Sequence, residues 1–341
     1  MTPVVVMMSG GVDSSVAAAL LLEQGYAVLG ATLKLWGGES DSGCCSISDV
    51  EDARRVAAQL GVPHYVFNLT EEFNDAVVNP YVDAYANGVT PNPCVSCNRY
   101  VKFGAFLRHA DALGVTTVAT GHHARIDRTA DIARLQRGRD EAKDQSYVLS
   151  VMSAEALART LLPVGDLTKA EVRDHAARLG LRTASKAESM DVCFITKGGR
   201  EAFLERRFTP TPGTIQSTSG EVLGHHEGIH AFTIGQRRGT GIAVGERAYV
   251  VDVDAPSATV TLGTKADLAR SSVTLSELVF TDARPAPDEV LEVQTRAHGA
   301  PMTGRFDGIA VHFTSPQPRV APGQIVALYR RDICIGSGVA Q

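Results

Sequence analysis

Apolar and polar positions follow two different rhythms along this chain. In residues 1–200, short continuous apolar runs alternate with longer segments of helical period. Pro3-Val4-Val5-Val6-Met7-Met8 reads as a strand buried on both faces, residues 14–24 as an Ala/Leu-rich helix closed by Gly25, and residues 26–35 as a second strand. Ser48-Asp49-Val50-Glu51 is a capping box opening a helix that runs to Gly61. A second box, Thr168-Lys169-Ala170-Glu171, opens a helix ending at Gly180. Strands are predicted at 64–69 and 116–120, with a helix over 103–113 closed by Gly114 between them. Repeated strand–helix units predict an α/β domain with a mostly parallel sheet covered on both faces.

From about Pro212 the helical period is lost, apart from a short patch at 266–269. Runs of Val, Ile, Thr and Phe are broken by Gly213, Gly220, Gly224, Gly235, Gly239, Gly241 and Gly245, which predicts antiparallel strands joined by tight turns. Two Pro-containing segments, 284–287 and 315–318, punctuate a last block with strands expected at 290–296, 302–313 and 325–330. The predicted organisation is an α/β domain over 1–200, a small central β-rich domain over 201–268 and a C-terminal antiparallel β-barrel over 269–341.

Composition narrows the class. Hydrophobic residues make up 44% and charged residues 21%, a globular balance. The 33 basic and 38 acidic residues give a net charge of −5, which excludes a general nucleic-acid coat but not a local basic patch. No run approaches the ~20 apolar residues of a membrane helix, and the N-terminus has no basic n-region or cleavage site. Six cysteines form no disulfide framework. A cytoplasmic protein is expected.

Ser9-Gly10-Gly11-Val12-Asp13-Ser14-Ser15 lies between the first strand and the first helix. Its glycines let backbone pass close to a ligand, and the helix start offers unpaired N–H groups to phosphates. Asp13 is placed to hold a magnesium ion on those phosphates. The loop lacks a Walker-type lysine, which suits holding the pyrophosphate end of ATP while the α-phosphate is cut. Elsewhere, Asn92-Pro93-Cys94-Val95-Ser96-Cys97 is read as an irregular loop whose thiols lie beside Arg99 and Lys102, and Cys193 stands far downstream. A thiol near cations is activated toward the thiolate. One nucleophilic cysteine and another able to carry a persulfide are the minimum equipment for moving sulfur. Cys94 and Cys97 with Cys44 and Cys45 could instead bind zinc or an iron–sulfur cluster. Cys193 alone could be a core thiol, and Cys334 is assigned to the core of the last β domain.

The SGGVDSS loop resembles that of the ATP pyrophosphatase superfamily. Together with LKLW at 33–36, TPNPCVSCNRYVKF at 90–103, ATGHHARI at 119–126, KDQSYVL at 143–149, LPVGDLTKAEVR at 162–173, SMDVCFI at 189–195 and GIHAFTIGQRRGTGI at 228–242, it closely resembles the tRNA-uridine 2-sulfurtransferases, the MnmA or tRNA 2-thiouridylase family. The resemblance implies an N-terminal nucleotide-binding α/β domain, a small central domain and a C-terminal β-barrel, the last two meeting tRNA. It also implies an enzyme that adenylates the 2-oxygen of the wobble uridine with ATP and magnesium, then displaces AMP with a persulfide sulfur. By resemblance Cys97 is the nucleophile, Cys193 carries the persulfide, and the two form a transient disulfide. Met7, Met8, Ser9, Gly10, Gly11, Val12, Asp13, Ser14, Leu33 and Gly121 would bind ATP. Asn92, Pro93, Cys94, His122, Lys143, Asp144, Gln145, Arg296, Ala297 and Gln324 would meet tRNA. No fixed metal site is implied beyond Asp13. His123 stands where the family usually has Tyr, and Arg296-Ala297 where it usually has Arg-Tyr. With only seven lysines, phosphate binding falls mainly to arginines such as Arg206, Arg207, Arg237 and Arg238. The implied partners are tRNAs accepting Lys, Glu and Gln and, as sulfur donor, a cysteine desulfurase or relay protein. Two other classes compete: an amide-forming ligase that adenylates a carboxylate, and a nucleotide-binding module with a metal-held cysteine cluster.

Overall fold

The computed structural model describes residues 1–36, 47–129, 131–187, 192–195, 199–242 and 247–341. The chain begins with β1 (Pro3–Met7), helix α1 (Val12–Glu23), β2 (Ala27–Lys34), helix α2 (Ile47–Leu60) and β3 (His64–Asn68). Further along come β4 (Val118–Ala119), a hairpin of β5 (Ala124–Asp127) and β6 (Arg134–Arg137), and β7 (Thr160–Leu161). Five of these strands form a wholly parallel sheet in the order β3-β2-β1-β4-β7. The apolar run of β1 is continuous because both its faces are covered. Val4, Val6 and Met8 pack with Val16, Ala17 and Leu21 of α1 and Val56 of α2, whereas Val5 and Met7 pack on the opposite side with Phe73, Val101 and Phe106.

Two helix starts differ from expectation. Helix α2 already contains Ile47, so Ser48 lies inside it rather than capping it. The cysteine-bearing segment is not a loop that ends near Phe103. It is a helical stretch over 93–112, made of Pro93–Ser96, a π-helical Cys97–Ala105 and Phe106–Ala112. Asn92 caps it, accepting a hydrogen bond from Cys94 N at 3.1 Å, and Pro93 occupies the first helical position, where its missing N–H costs nothing. The second capping box forms as expected, with Thr168 and Glu171 satisfying each other's backbone N–H.

Beyond residue 212 the structure is β, as predicted, apart from single 3₁₀ turns. Strands β8 (Gly213–Ser217), β9 (Val222–His226), β10 (Tyr249–Asp254) and β11 (Thr259–Gly263) make a four-stranded sheet, in which β11 and β8 run parallel rather than antiparallel. Strands β12 (Ala269–Phe280), β13 (Leu291–Gln294), β14 (Met302–Phe306), β15 (Ala310–Pro318), β16 (Ile325–Arg330) and β17 (Ile333–Ala340) close into a six-stranded antiparallel barrel through the β12–β17 pairing. The single strand expected at 302–313 is two, β14 and β15, turning at Asp307-Gly308.

The β5–β6 hairpin leaves the α/β domain and extends the barrel sheet, β6 pairing with β17. An apolar layer is shared across this seam: Leu135, Tyr147 and Leu149 lie in one cluster with Ile325, Ala327, Tyr329 and Cys334. Cys334 therefore belongs to the seam and not to the barrel's own interior, and burial pushes its thiol up to about 12. At the centre, the Arg137 guanidinium stacks 3.8 Å over the Tyr329 ring and donates to Gln294 Oε1 at 2.8 Å and Asp144 Oδ2 at 3.4 Å. Tyr147 Oη donates to the Ile325 carbonyl at 2.9 Å. Replacing Arg137 with Ala strands these acceptors, so a loss of about 1.5–3 kcal/mol in urea unfolding is expected. An unchanged midpoint would show that the guanidinium does not hold the seam.

Candidate functional site

In the order β3-β2-β1-β4-β7, the chain turns one way after β1 and the other way after β4, so their carboxyl ends open a crevice. The 8–15 loop after β1 and the Thr120-Gly121-His122-His123 turn after β4 line it. The loop is held by its own side chains: Ser9 N donates to Ser14 Oγ at 3.1 Å, and Ser15 Oγ donates to the Gly11 carbonyl at 2.8 Å. Two glycines are sterically required. A Cβ on Gly10, whose φ is +74°, would sit 2.2 Å from the Asp49 carbonyl oxygen, and one on Gly121 would sit 2.5 Å from Ser14 N. Met7, Met8, Val12 and Leu33 are all buried.

Asp13 is the loop's one carboxylate. It accepts from Lys169 Nζ at 2.7 and 2.8 Å and is 3.0 Å from His123 Nε2. Burial works against its charge, but the His123 and Lys169 bonds and the Lys169 charge outweigh that and hold its carboxyl below the usual range. A second lysine, Lys186, clamps the loop from the other side, donating to the Gly10 carbonyl at 3.0 Å, Asp49 Oδ1 at 2.7 Å and Asp52 Oδ2 at 2.6 Å. Neither lysine was singled out from the sequence. Lys169 was visible in a capping box and within the LPVGDLTKAEVR segment at 162–173, but no spacing rule links residue 169 to residue 13.

The adjacent histidines face different walls. His123 is on Asp13, while the His122 ring lies 6.2 Å from Phe103 of the cysteine helix, its Nδ1 2.8 Å from Thr120 Oγ1. Burial, reinforced by the Lys102 charge, pushes His122 well below the usual histidine range. Cys97 is buried in the apolar cluster of that helix, and Cys193 packs against the same cluster. The neighbour of Cys193, Phe194, is caged by Trp36, Phe73, Tyr81 and Phe203 at centroid distances of 5.2–6.1 Å. Arg99, expected beside the thiols, pairs with Glu277 of β12 at 3.0 Å and so braces the helix on the barrel.

Of the residues expected to meet tRNA, several have structural duties. Asp144 accepts from Gly138 N at 2.9 Å and from Ser146 N at 3.0 Å. Gln145 Oε1 accepts from His123 N at 2.8 Å, fixing the histidine turn. Gln324 Nε2 donates to the Thr90 carbonyl at 2.6 Å, tying a barrel loop to the residues just before Asn92, Pro93 and Cys94. Lys143 and Ala297 are half-buried and Arg296 is exposed. Arg206, Arg207, Arg237 and Arg238 are exposed, with no ion pair among the described residues. Cys44 and Cys45 lie outside the described residues. Among those described, no three His, Cys, Asp or Glu side chains could hold a metal ion, and no helix is long and apolar enough to cross a membrane.

His64, His122 and His226 are all pushed down by burial. Each is neutral in the fold but takes a proton in the unfolded chain near pH 6.5, so the unfolded state binds more protons in acid. Their contribution is complete above pH ~6.5 and is lost below it. Urea unfolding at pH 7.5 and 5.0 is expected to show this decline, with a shallower slope for His122→Gln. Equal stability at both pH values would contradict it.

Residues 2–197 match the tRNA methyl transferase HUP domain, residues 201–264 the tRNA methyl transferase PRC-barrel domain, and residues 270–340 the aminomethyltransferase beta-barrel domain. The chain is 45% identical to the tRNA-specific 2-thiouridylase MnmA of Heliobacterium modesticaldum, over 98% of this chain and 91% of that protein. It is 46% identical to MnmA of Mycolicibacterium gilvum, over 96% and 95%, and 44% identical to MnmA of Moorella thermoacetica, over 98% of each. Solved structures are more distant; a 4-thiouridine synthetase–RNA complex with bound ATP is 17% identical, with a TM-score of 0.38 over 60% of this chain and 49% of that one. With relatives at this identity along its whole length, the chain belongs to the tRNA-specific 2-thiouridylase family.

Proposed function

We propose that this chain is a tRNA-uridine 2-sulfurtransferase, which uses ATP to adenylate the 2-oxygen of the wobble uridine and replaces AMP with sulfur. One observation carries the reading: the neighbouring histidines 122 and 123 touch, respectively, the helix bearing Cys97 and the Asp13 of the phosphate loop. A nucleotide wall and a thiol wall thus meet in one crevice. Backbone N–H groups at the start of α1 receive the phosphates. Asp13, whose carboxyl stays ionised, is the oxygen donor the loop offers a magnesium ion, which when bound offsets phosphate charge.

Uridine O2 is a poor leaving group, and adenylation makes it a good one. The terminal sulfur of a Cys193 persulfide then attacks C2 as AMP departs. The Cys97 thiolate next attacks the Cys193 sulfur, so that 2-thiouridine leaves and a Cys97–Cys193 disulfide remains for an external thiol to reduce. A cysteine desulfurase or relay protein supplies the sulfur, and tRNAs for Lys, Glu and Gln are the substrates of the reading. The wobble base leaves its stack to reach the crevice, since a stacked base hides its reacting atoms. The central domain (201–268) and the barrel (269–341) provide the tRNA contacts.

The test is a reaction with unmodified tRNA, ATP, magnesium, cysteine, a cysteine desulfurase and a thiol reductant, following AMP and 2-thiouridine together. ATP-dependent 2-thiouridine is expected from the wild type, with a loss of at least about 10³-fold in Cys97→Ser and in Cys193→Ser. AMP release without thiouridine from the wild type would redirect the acceptor to another group. For tRNA affinity, about four phosphate contacts from Arg206, Arg207, Arg237 and Arg238 predict a fall of about 50–100-fold between 50 and 200 mM salt. A flat salt response would remove these arginines from the interface.

A further inference from the structure

We propose that Lys169 binds the β- and γ-phosphates of ATP, supplying from a distant helix the cation that the phosphate loop lacks. The inference rests on the nucleotide reading above and names a residue that reading does not include. Within 8–15 the only charged group is Asp13, which by itself repels a polyphosphate. Lys169 Nζ lies 2.7 and 2.8 Å from the two oxygens of that carboxylate, which belongs to the first turn of α1.

The backbone of Lys169 is fixed, whereas its side chain is long. Lys169 is the first residue of the helix Lys169–Arg178, which is capped by Thr168 and Glu171. Its own N donates to Asp140 Oδ2 at 2.9 Å. A rigid base and a four-carbon stem let the ammonium move while the helix stays in place. Asp13 does not need Lys169 at every moment, because His123 Nε2 also reaches it at 3.0 Å. When Lys169 turns to phosphate, the half-buried carboxylate keeps a partner, so the exchange avoids stranding a charge.

The step this serves forms a bond from uridine O2 to the α-phosphorus. It breaks the α–β bridging P–O bond, whose electron pair leaves on pyrophosphate, and releases the uridine N3 proton to water. Negative charge grows on the pyrophosphate side, and a cation placed there stabilises the transition state more than the bound substrate.

Equilibrium binding of ATP, pyrophosphate and AMP to the full chain in magnesium distinguishes the roles. Lys169→Met is expected to weaken ATP and pyrophosphate by about 10–100-fold while leaving AMP within about twofold, and Lys169→Arg to restore part of the loss. Should the Met variant unfold, Lys169→Gln, which keeps a donor for Asp13, gives the same readout. ATP binding equal to wild type, or ATP and AMP weakened alike, overturns the assignment and leaves Lys169 as a partner of Asp13 only. A wild-type protein that binds neither ATP nor AMP overturns the nucleotide reading itself.

Discussion

A guanidinium half-buried at a domain seam is costly to leave unpaired, and the arrangement of the seam beside the crevice follows from how Arg137 is paired. Its stacking on Tyr329 and its bonds to Gln294 and Asp144 require the β5–β6 hairpin to leave its own domain and join the barrel sheet. Once it does, the apolar layer under the cysteine helix becomes continuous with the barrel wall. The barrel then braces that helix directly: Glu277 holds Arg99, and Pro322 and Gln324 bond to Thr90 beside the helix cap. The C-terminal domain is thus part of the support for the helix that carries Cys97.

The phosphate loop is built on an opposite principle. Its small residues bring little side-chain mass of their own, so its shape is imposed by neighbours. Gly10 and Gly121 allow backbone to approach backbone, and Lys186 and Lys169 grip the two ends of the loop through Asp49, Asp52 and Asp13. Such partly buried pairs add little net stability, but losing one partner is costly because a charge is left behind. That asymmetry favours geometric definition over strength, which a loop that must receive a highly charged ligand needs.

Much of this was readable from local pattern. The alternation within Val4–Met8 matches two separate apolar clusters on either side of the sheet, and the second capping box forms as its residue types demanded. The start of the cysteine helix was misread because two prolines suggest a loop. Asn92-Pro93 is nonetheless a cap followed by the one helical position that tolerates proline, and the local signal was present. The splitting of 302–313 into two strands and the parallel β8–β11 pair were harder, since strand direction and pairing are set between segments rather than within them.

The amino-acid sequence by itself determined the strand–helix alternation, the glycine-rich loop at the first strand's end, the two distant cysteines and the family. These depend on residue type and short-range spacing, which the chain carries wherever it folds. Only the tertiary structure decided that Cys334 lies at the seam, that Asp144, Gln145 and Gln324 have internal partners, and that Lys169 and Lys186 reach the phosphate loop. Those contacts join residues far apart in the chain, and burying charge and apolar surface together selects them only when the domains have closed on one another.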